Sequence, residues 1–173
     1  MGLRYDWLLL AADGTLFDYD QAEAEALRAT ADQGPFTKSD IGSWDEVVAA
    51  YRRINSAVWD EFERGEISQV ALRTARFERL FRELDIDADA AAFSDRYLAH
   101  LGQQAAPIMG AEALVRALHG VVGMVVITNG LKDVQRSRFA RSPMTAYLDD
   151  VVISEEVGAA KPRPEIFDRA FAC

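Results

Sequence analysis

The strongest constraint on the fold comes from the last third of the chain, where apolar strands alternate with helical segments. Residues 121–128 and 151–154 are rich in β-branched residues and predict short buried strands. Residues 111–118, 131–141 and 163–172 have helical patterns before, between and after them. Strands that alternate with helices are joined by right-handed crossovers and pair in parallel, so the pattern predicts an α/β fold with a parallel sheet.

The first half of the chain adds one strand and a helical insert. Residues 5–12 are largely apolar and end at the turn residues Asp13-Gly14, which predicts the first strand of the sheet. Four helical patterns follow, at residues 21–33, 43–64, 68–84 and 88–101. The simplest architecture is a Rossmann-like core of residues 1–18 and 105–173. An all-α cap domain, residues 19–104, is inserted after the first strand.

Two of the insert's helices show clear signals. Ser43 and Glu46 fit a capping box at the start of residues 43–64, and Gly65 fits a stop signal. Apolar residues recur every three or four positions in both helices, which predicts one buried face on each. These residues are Val47, Tyr51, Ile54, Val58 and Phe62, then Leu72, Phe77, Leu80 and Phe81.

Composition and charge exclude several classes of function. Of the 173 residues 50% are hydrophobic and 27% are charged, which excludes a disordered chain. The net charge of −9 disfavours a nucleic-acid polymer as partner, and no apolar run is long enough to span a bilayer. The only cysteine is Cys173, which excludes an internal disulfide framework and favours the reducing cytoplasm.

Polar residues follow the predicted strands at the edge where open α/β sheets bind ligands. They are Asp13 after the first strand, Thr128 as the last residue of the second with Asn129 and Gly130 after it, and Lys161 after the third. Backbone N–H groups at the start of the helix after Gly130 could accept an anion. Each segment alone also fits an ordinary role, as turn former, helix cap or solvated lysine.

In this order, the three segments resemble the motifs of the haloacid dehalogenase superfamily of hydrolases, most of which are phosphatases. That family has an apolar strand followed by Asp-x-Asp-x-Thr, then a Ser or Thr that ends the next core strand, then a Lys. A helical cap between the first two motifs is one of its standard layouts. Within it the sequence is most similar to the pyrimidine 5′-nucleotidase type, through residues 7–10, 54–59, 76–78, 127–130 and 152–158.

The resemblance implies a Mg²⁺-dependent phosphatase that hydrolyses nucleoside 5′-monophosphates through an aspartyl-phosphate. Asp13 would be the general acid/base, with its carbonyl oxygen a Mg²⁺ ligand. Thr128, together with Asn129 and Gly130, would hold the phosphoryl group of a small phosphorylated substrate. Lys161 would offset its negative charge.

Cap residues that match these relatives give candidate substrate contacts. Trp59 or Phe77 could stack on a base, and Arg76 or Asn55 could bond polar groups of the substrate. Trp59 and Phe77 also fit the apolar face of a helical bundle, so core packing is the favoured interpretation.

The chain departs from the family pattern at the nucleophile, where Ala11 stands in place of the first aspartate. An alternative alignment of the motif makes Asp13 the nucleophile, with Thr15 two residues later. It is disfavoured, because the Gly-Thr turn would then no longer follow the second acid. Alanine cannot attack phosphorus, so we predict that the chain is inactive. An engineered substitution, a damaged gene and a natural pseudoenzyme each explain Ala11; the first two are favoured because Asp13, Thr128 and Lys161 remain.

The family's fourth motif, with one or two Mg²⁺-binding aspartates and a strand beside the first strand, has no counterpart before Cys173. We therefore expect a C-terminally incomplete core, weak Mg²⁺ binding and an uncovered first strand that permits self-association. Two other functions stay open. One is a 2-haloacid dehalogenase, which Asp13 disfavours, and the other is a non-catalytic binding protein, which Ala11 permits.

Overall fold

The computed structural model describes residues 5–34, 36 and 43–172. Its chain divides into two compact units, Met1–Glu23 with Gly102–Cys173, and Ala24–Leu101. The elements in chain order are β1 (Trp7–Leu10), α1 (Tyr19–Ala31), α2 (Trp44–Glu63), α3 (Gln69–Glu83), α4 (Ala90–Leu101), α5 (Ala111–Leu118), β2 (Gly123–Thr128), α6 (Lys132–Arg141), a 3₁₀ helix (Pro143–Tyr147), β3 (Asp150–Ile153), α7 (Ser154–Val157) and α8 (Pro164–Phe171).

The first unit is built on a parallel sheet with strand order β1-β2-β3. Trp7 is in register with Gly123, and Thr128 with Ile153. The predicted parallel α/β fold is therefore confirmed. Because all three strands run the same way, their carboxyl ends meet at one edge of the sheet, and the residues that follow them are brought together there.

Both faces of β2 are buried, as expected for a parallel strand covered by helices on either side. Met124 and Val126 pack in one apolar cluster with Phe17, Val115 and Phe139. Val125 and Ile127, which point to the other face, pack with Val152, Ile166 and Ala170. This explains why the strand is almost continuously apolar in sequence.

Two segments of the first unit run side by side where the chain leaves the core and returns to it. Phe17 and Pro107 form an isolated antiparallel bridge. The Asp18 N–H donates to the carbonyl of Ala106 at 3.0 Å, and the Ile108 N–H donates to the carbonyl of Leu16 at 2.9 Å. These bonds pin the loop that follows β1 to the segment that leads into α5.

The second unit contains α2, α3 and α4, and its core is largely aromatic. The rings of Tyr51 and Phe77 stack with centroids 5.5 Å apart, and Phe93 meets Phe77 edge-on at 4.9 Å. The predicted capping box at Ser43 and Glu46 is present, and Gly65 follows α2 with φ of +75°. The predicted apolar faces are confirmed by burial, except that Phe62 is only half-buried.

The structure differs from the sequence predictions mainly at element ends. The segment predicted as a strand through residue 154 ends at Ile153, and Ser154 begins the short helix α7, which Gly158 ends in a left-handed conformation. The 3₁₀ helix was not predicted; Ser142 caps it by accepting from the Met144 N–H at 3.2 Å. Among the described residues, no helix is both long and apolar enough to cross a membrane.

Candidate active site

The ends of the three strands supply the candidate site. Ala11 follows β1 directly and is half-buried, with Asp13 two residues further on. Thr128 is the last residue of β2 and is buried. Lys161 lies on the loop after α7, within reach of β2. The fold thus carries the three motif residues to the same edge of the sheet.

Asp13 is held by two side chains of α6. The Gln135 Nε2 group donates to its Oδ2 at 2.8 Å, and the Arg138 Nη1 group donates to its Oδ1. The Asp13 side chain is 27% exposed, whereas that of Arg138 is 1% exposed. The charge on the Asp13 carboxylate is therefore paired with a buried cation, Arg138, which belongs to none of the sequence motifs.

Gly130 allows this arrangement because it lacks a side chain. A Cβ at Gly130 would lie 2.9 Å from both Cγ and Nε2 of Gln135, closer than real Cβ atoms approach their neighbours. The Gly130 N–H donates to the Ser154 hydroxyl oxygen at 3.1 Å. Gly130 is thus a packing position that lets Gln135 reach Asp13.

Asn129 joins the second motif to the third. Its Nδ2 group donates to the carbonyl of Lys161 at 3.0 Å, and its Oδ1 accepts from the Lys161 N–H at 2.7 Å. The Lys161 ammonium group donates to the carbonyl of Ile127 at 3.0 Å, one residue before Thr128. This double amide pairing places the Lys161 amino group at the end of β2, a contact that the sequence alone could not reveal.

Two N–H groups at the start of α6 already donate to oxygen atoms of the protein. The Lys132 N–H donates to Glu155 Oε2, and the Gly130 N–H to Ser154. The two acceptors come from α7, directly after β3. N–H groups at the start of this helix were expected to bind a ligand anion. The N–H groups of Gly130 and Lys132 instead donate to protein oxygens.

An ion pair anchors α6 to α7 beside the site. Arg136 donates to Glu156 through Nε at 2.9 Å and through Nη2 at 2.5 Å. Hydrogen bonding and charge from Arg136 lower the pKa of the Glu156 carboxyl, and Glu156 in turn raises the pKa of Arg136. The pair fixes the position of α7, which supplies Ser154 and Glu155.

The described residues do not make a Mg²⁺ site by themselves. No group of three or more His, Cys, Asp or Glu side chains within them could hold a metal ion. Ala11 offers no carboxylate, and the Asp13 carboxylate already faces Gln135 and Arg138. Mg²⁺ prefers near-octahedral oxygen ligation, which a single backbone carbonyl does not provide.

The candidate substrate residues of the second unit lie mostly in its core. Phe77 is fully buried in the aromatic cluster. Arg76 is buried as well, donates to Asn55 Oδ1 at 3.0 Å and lies over the ring of Tyr97. Trp59 is only half-buried and meets Phe62 edge-on.

Comparison with known proteins now identifies the family. The model of the haloacid dehalogenase-like hydrolases matches residues 12–172, beginning one residue after Ala11. The chain belongs to this family. The resemblance inferred from the motifs is therefore confirmed.

Curated relatives of this haloacid dehalogenase-like chain include two pyrimidine 5′-nucleotidases. YjjG of Escherichia coli is 30% identical over 168 residues, which is 97% of this chain and 71% of that protein. PynA of Streptococcus pneumoniae is 31% identical over 167 residues, which is 95% of this chain and 68% of that protein. The similarity to the pyrimidine 5′-nucleotidase type thus extends over nearly the whole chain.

Solved structures agree with this family assignment. The HAD-hydrolase YfnB from Bacillus subtilis, described as bound to magnesium, has a TM-score of 0.85 at 30% identity, covering 98% of this chain and 72% of that one. An L-2-haloacid dehalogenase from Xanthobacter autotrophicus has a TM-score of 0.68 at 18% identity, covering 95% and 63%. The second similarity establishes a shared fold only.

Proposed function

We propose that the chain binds phosphate monoesters, with nucleoside 5′-monophosphates as the substrate class, and that Ala11 prevents their hydrolysis. The supporting observation is that Asp13, Thr128 and Lys161 lie at the carboxyl ends of three parallel strands, at one edge of the sheet, while the position two residues before Asp13 carries a methyl group. The similarity to two pyrimidine 5′-nucleotidases supports the nucleotide part of the proposal.

The proposed roles follow from the chemistry of each group. The Lys161 ammonium group, fixed at the end of β2, would offset the charge on the phosphoryl oxygens. The Thr128 hydroxyl and the Asn129 N–H would donate to the same oxygens. Asp13 would exchange a proton with the oxygen that links the phosphoryl group to the nucleoside. With Ala11 present no aspartyl-phosphate forms, because no carboxylate is available to attack phosphorus.

Two further points belong to the proposal. This chain would bind Mg²⁺ only weakly, since the described residues supply no carboxylate cluster for it. Among the candidate substrate residues, Trp59 is the one we propose for stacking on a base, because it is only half-buried whereas Phe77 is fully buried. The roles of Arg76 and Asn55 would then be to hold the core of the second unit.

The test is to restore the carboxylate with Ala11→Asp and to compare it with the unmodified chain. Both proteins are assayed with and without Mg²⁺ on uridine and thymidine 5′-monophosphates, p-nitrophenyl phosphate and 2-haloacids. We expect phosphate release only from the Ala11→Asp protein and only with Mg²⁺ in excess, because the chain would bind the ion weakly. Ala11→Asn, which matches the shape of aspartate without its nucleophile, is the control and should stay inactive.

The other outcomes separate the alternatives. Halide release from the 2-haloacids would replace the proposal with a dehalogenase. Phosphate release by the unmodified chain would contradict the role assigned to position 11. Inactivity of every protein, together with failure of the unmodified chain to bind a nucleotide, would leave a non-catalytic protein of the same fold.

A further inference from the structure

Asp13 lies on the loop after β1, but both groups that fix its carboxylate come from α6. Gln135 donates to Oδ2 at 2.8 Å, and Arg138 donates to Oδ1. The two donors are three residues apart and lie on one face of the helix, one turn from each other. Because each carboxylate oxygen has its own donor, the plane of the carboxylate is fixed as well as its position.

Arg138 is itself held in place from other directions. Its Nε group donates to the carbonyl of Gln104 at 2.7 Å, and its guanidinium lies 4.6 Å from the centre of the Phe17 ring. Its side chain is 1% exposed. A buried guanidinium is strongly unfavourable without a counter-charge, and Asp13 supplies that charge.

The hydrogen bonding around Asp13 is incomplete. Within the described part of the chain, Arg138 Nη2 and Gln135 Oε1 are buried without a hydrogen-bond partner. Buried polar groups in folded proteins nearly always have a partner, supplied by protein, water or ligand. One donor and one acceptor next to Asp13 are thus left for water or for a polar group of a ligand.

We propose that Gln135 and Arg138 are the positioning residues of Asp13, and that Arg138 provides the positive charge that lets a phosphoryl anion bind beside the Asp13 carboxylate. The inference rests on the proposed function. Without Arg138, the carboxylate would repel an anion at the strand ends, and the chain's net charge of −9 would add to that repulsion. Gln135 would act by orientation alone, because it carries no charge.

The test measures binding of inorganic phosphate to the full chain by calorimetry at low ionic strength. We expect Arg138→Gln to weaken binding by about tenfold or more, and Asp13→Asn/Arg138→Gln to recover most of that loss. Arg141→Gln is the matched control, because it removes the same charge from an exposed position of the same helix; it should change affinity by less than about twofold. If Arg138 acted only through its bond to Gln104 and its packing on Phe17, Asp13→Asn would not recover the lost phosphate affinity.

A second variant and a spectroscopic measurement keep the test independent of folding and of phosphate binding. Gln135→Leu should weaken phosphate binding by about threefold, and Asp13→Asn should abolish that difference. In ¹H–¹⁵N spectra of the unliganded chain, Asp13→Asn should move the Arg138 Nε–H resonance, whereas Glu156→Gln should leave it in place.

The outcomes distinguish the two proposals. Failure of the unmodified chain to bind phosphate contradicts the proposed function, and the positioning role is then judged on the Arg138 resonance alone. An Arg138 resonance that is unmoved by Asp13→Asn overturns the positioning role. Undiminished phosphate binding by both Arg138→Gln and Gln135→Leu overturns it as well.

Discussion

At the scale of single residues, the site around Asp13 combines residues that belong to sequence motifs with residues that do not. Asp13, Gly130 and Lys161 belong to recognisable motifs, but Gln135 and Arg138 look like ordinary polar positions of a helix. The structure joins the two sets, because Gly130 leaves the space through which Gln135 reaches Asp13.

This close approach makes Gly130 sensitive to substitution. Gly130→Ala would bring a methyl group within 2.9 Å of Gln135, so we expect it to lower the free energy of unfolding by about 1–3 kcal/mol. The measurement is a urea unfolding curve. In a Gln135→Ala background the same substitution should cost clearly less, because the space is then empty; an equal cost in both backgrounds would contradict the packing argument.

The Arg136–Glu156 pair gives a pH-dependent contribution to stability. Arg136 lowers the pKa of Glu156 below its ordinary value of 4.5, so the contribution is complete above that pH. It is lost as the pH falls through the lowered pKa. We expect Glu156→Gln to destabilise the protein at neutral pH by less than about 1 kcal/mol, since Arg136 is half-exposed.

The test is the free energy of unfolding of both proteins, measured from neutral pH to well below 4.5. The difference between them should shrink as the solution becomes more acidic. Asp168→Asn, which removes an exposed carboxylate from α8, is the control substitution. A difference that stays constant across the range would show that the ion pair does not contribute.

At the scale of elements, the helix ends follow local rules that the sequence states directly. In the capping box of α2, the Ser43 hydroxyl accepts from the Glu46 N–H at 3.3 Å, and Glu46 Oε2 accepts from the Ser43 N–H at 2.9 Å. Both partners lie within four consecutive residues, so no tertiary contact is needed to form the box.

We expect Ser43→Ala to lower the midpoint of thermal unfolding, at a cost of about 1 kcal/mol. Ser56→Ala is the matched control, because it makes the same change at an exposed position inside the same helix. There alanine should be neutral or slightly stabilising, since it favours helix more than serine. Equal losses from the two substitutions would mean that the cap contributes nothing specific.

At the scale of the whole molecule, β1 is the edge strand of the sheet formed by the described residues. It pairs with β2 on one side, and Trp7 at its start is 50% exposed. Unpaired strand edges are templates for association with another chain. We therefore propose that the chain self-associates through β1.

Sedimentation velocity over a wide range of protein concentration tests this proposal. We expect a concentration-dependent shift towards a dimer or larger species, and Trp7→Lys should reduce it, because a charge at a strand edge disfavours pairing. Val70→Lys adds the same charge at an exposed apolar position on α3 and should leave association unchanged. A chain that stays monomeric at every concentration would contradict the proposal.

The sequence by itself determined which elements form and the order in which they occur. Apolar periodicity predicts β2 and the buried faces of α2 and α3, and the Ser43 box marks a helix start, because these signals lie within a few residues of one another. The same reasoning predicted the parallel sheet and therefore which polar residues meet at its edge. It missed α7, whose four residues are too few to show a period.

Only the tertiary structure decided how those polar residues are held. Gln135 and Arg138 contact Asp13 across more than 120 positions of sequence. Asn129 pairs with the backbone of Lys161 across 32 positions. Such contacts depend on strand order and on the direction in which α6 packs, and no local pattern encodes them. The sequence alone shows that position 11 has no carboxylate. The pairing of Asp13 with the buried Arg138 arises only when the chain has folded.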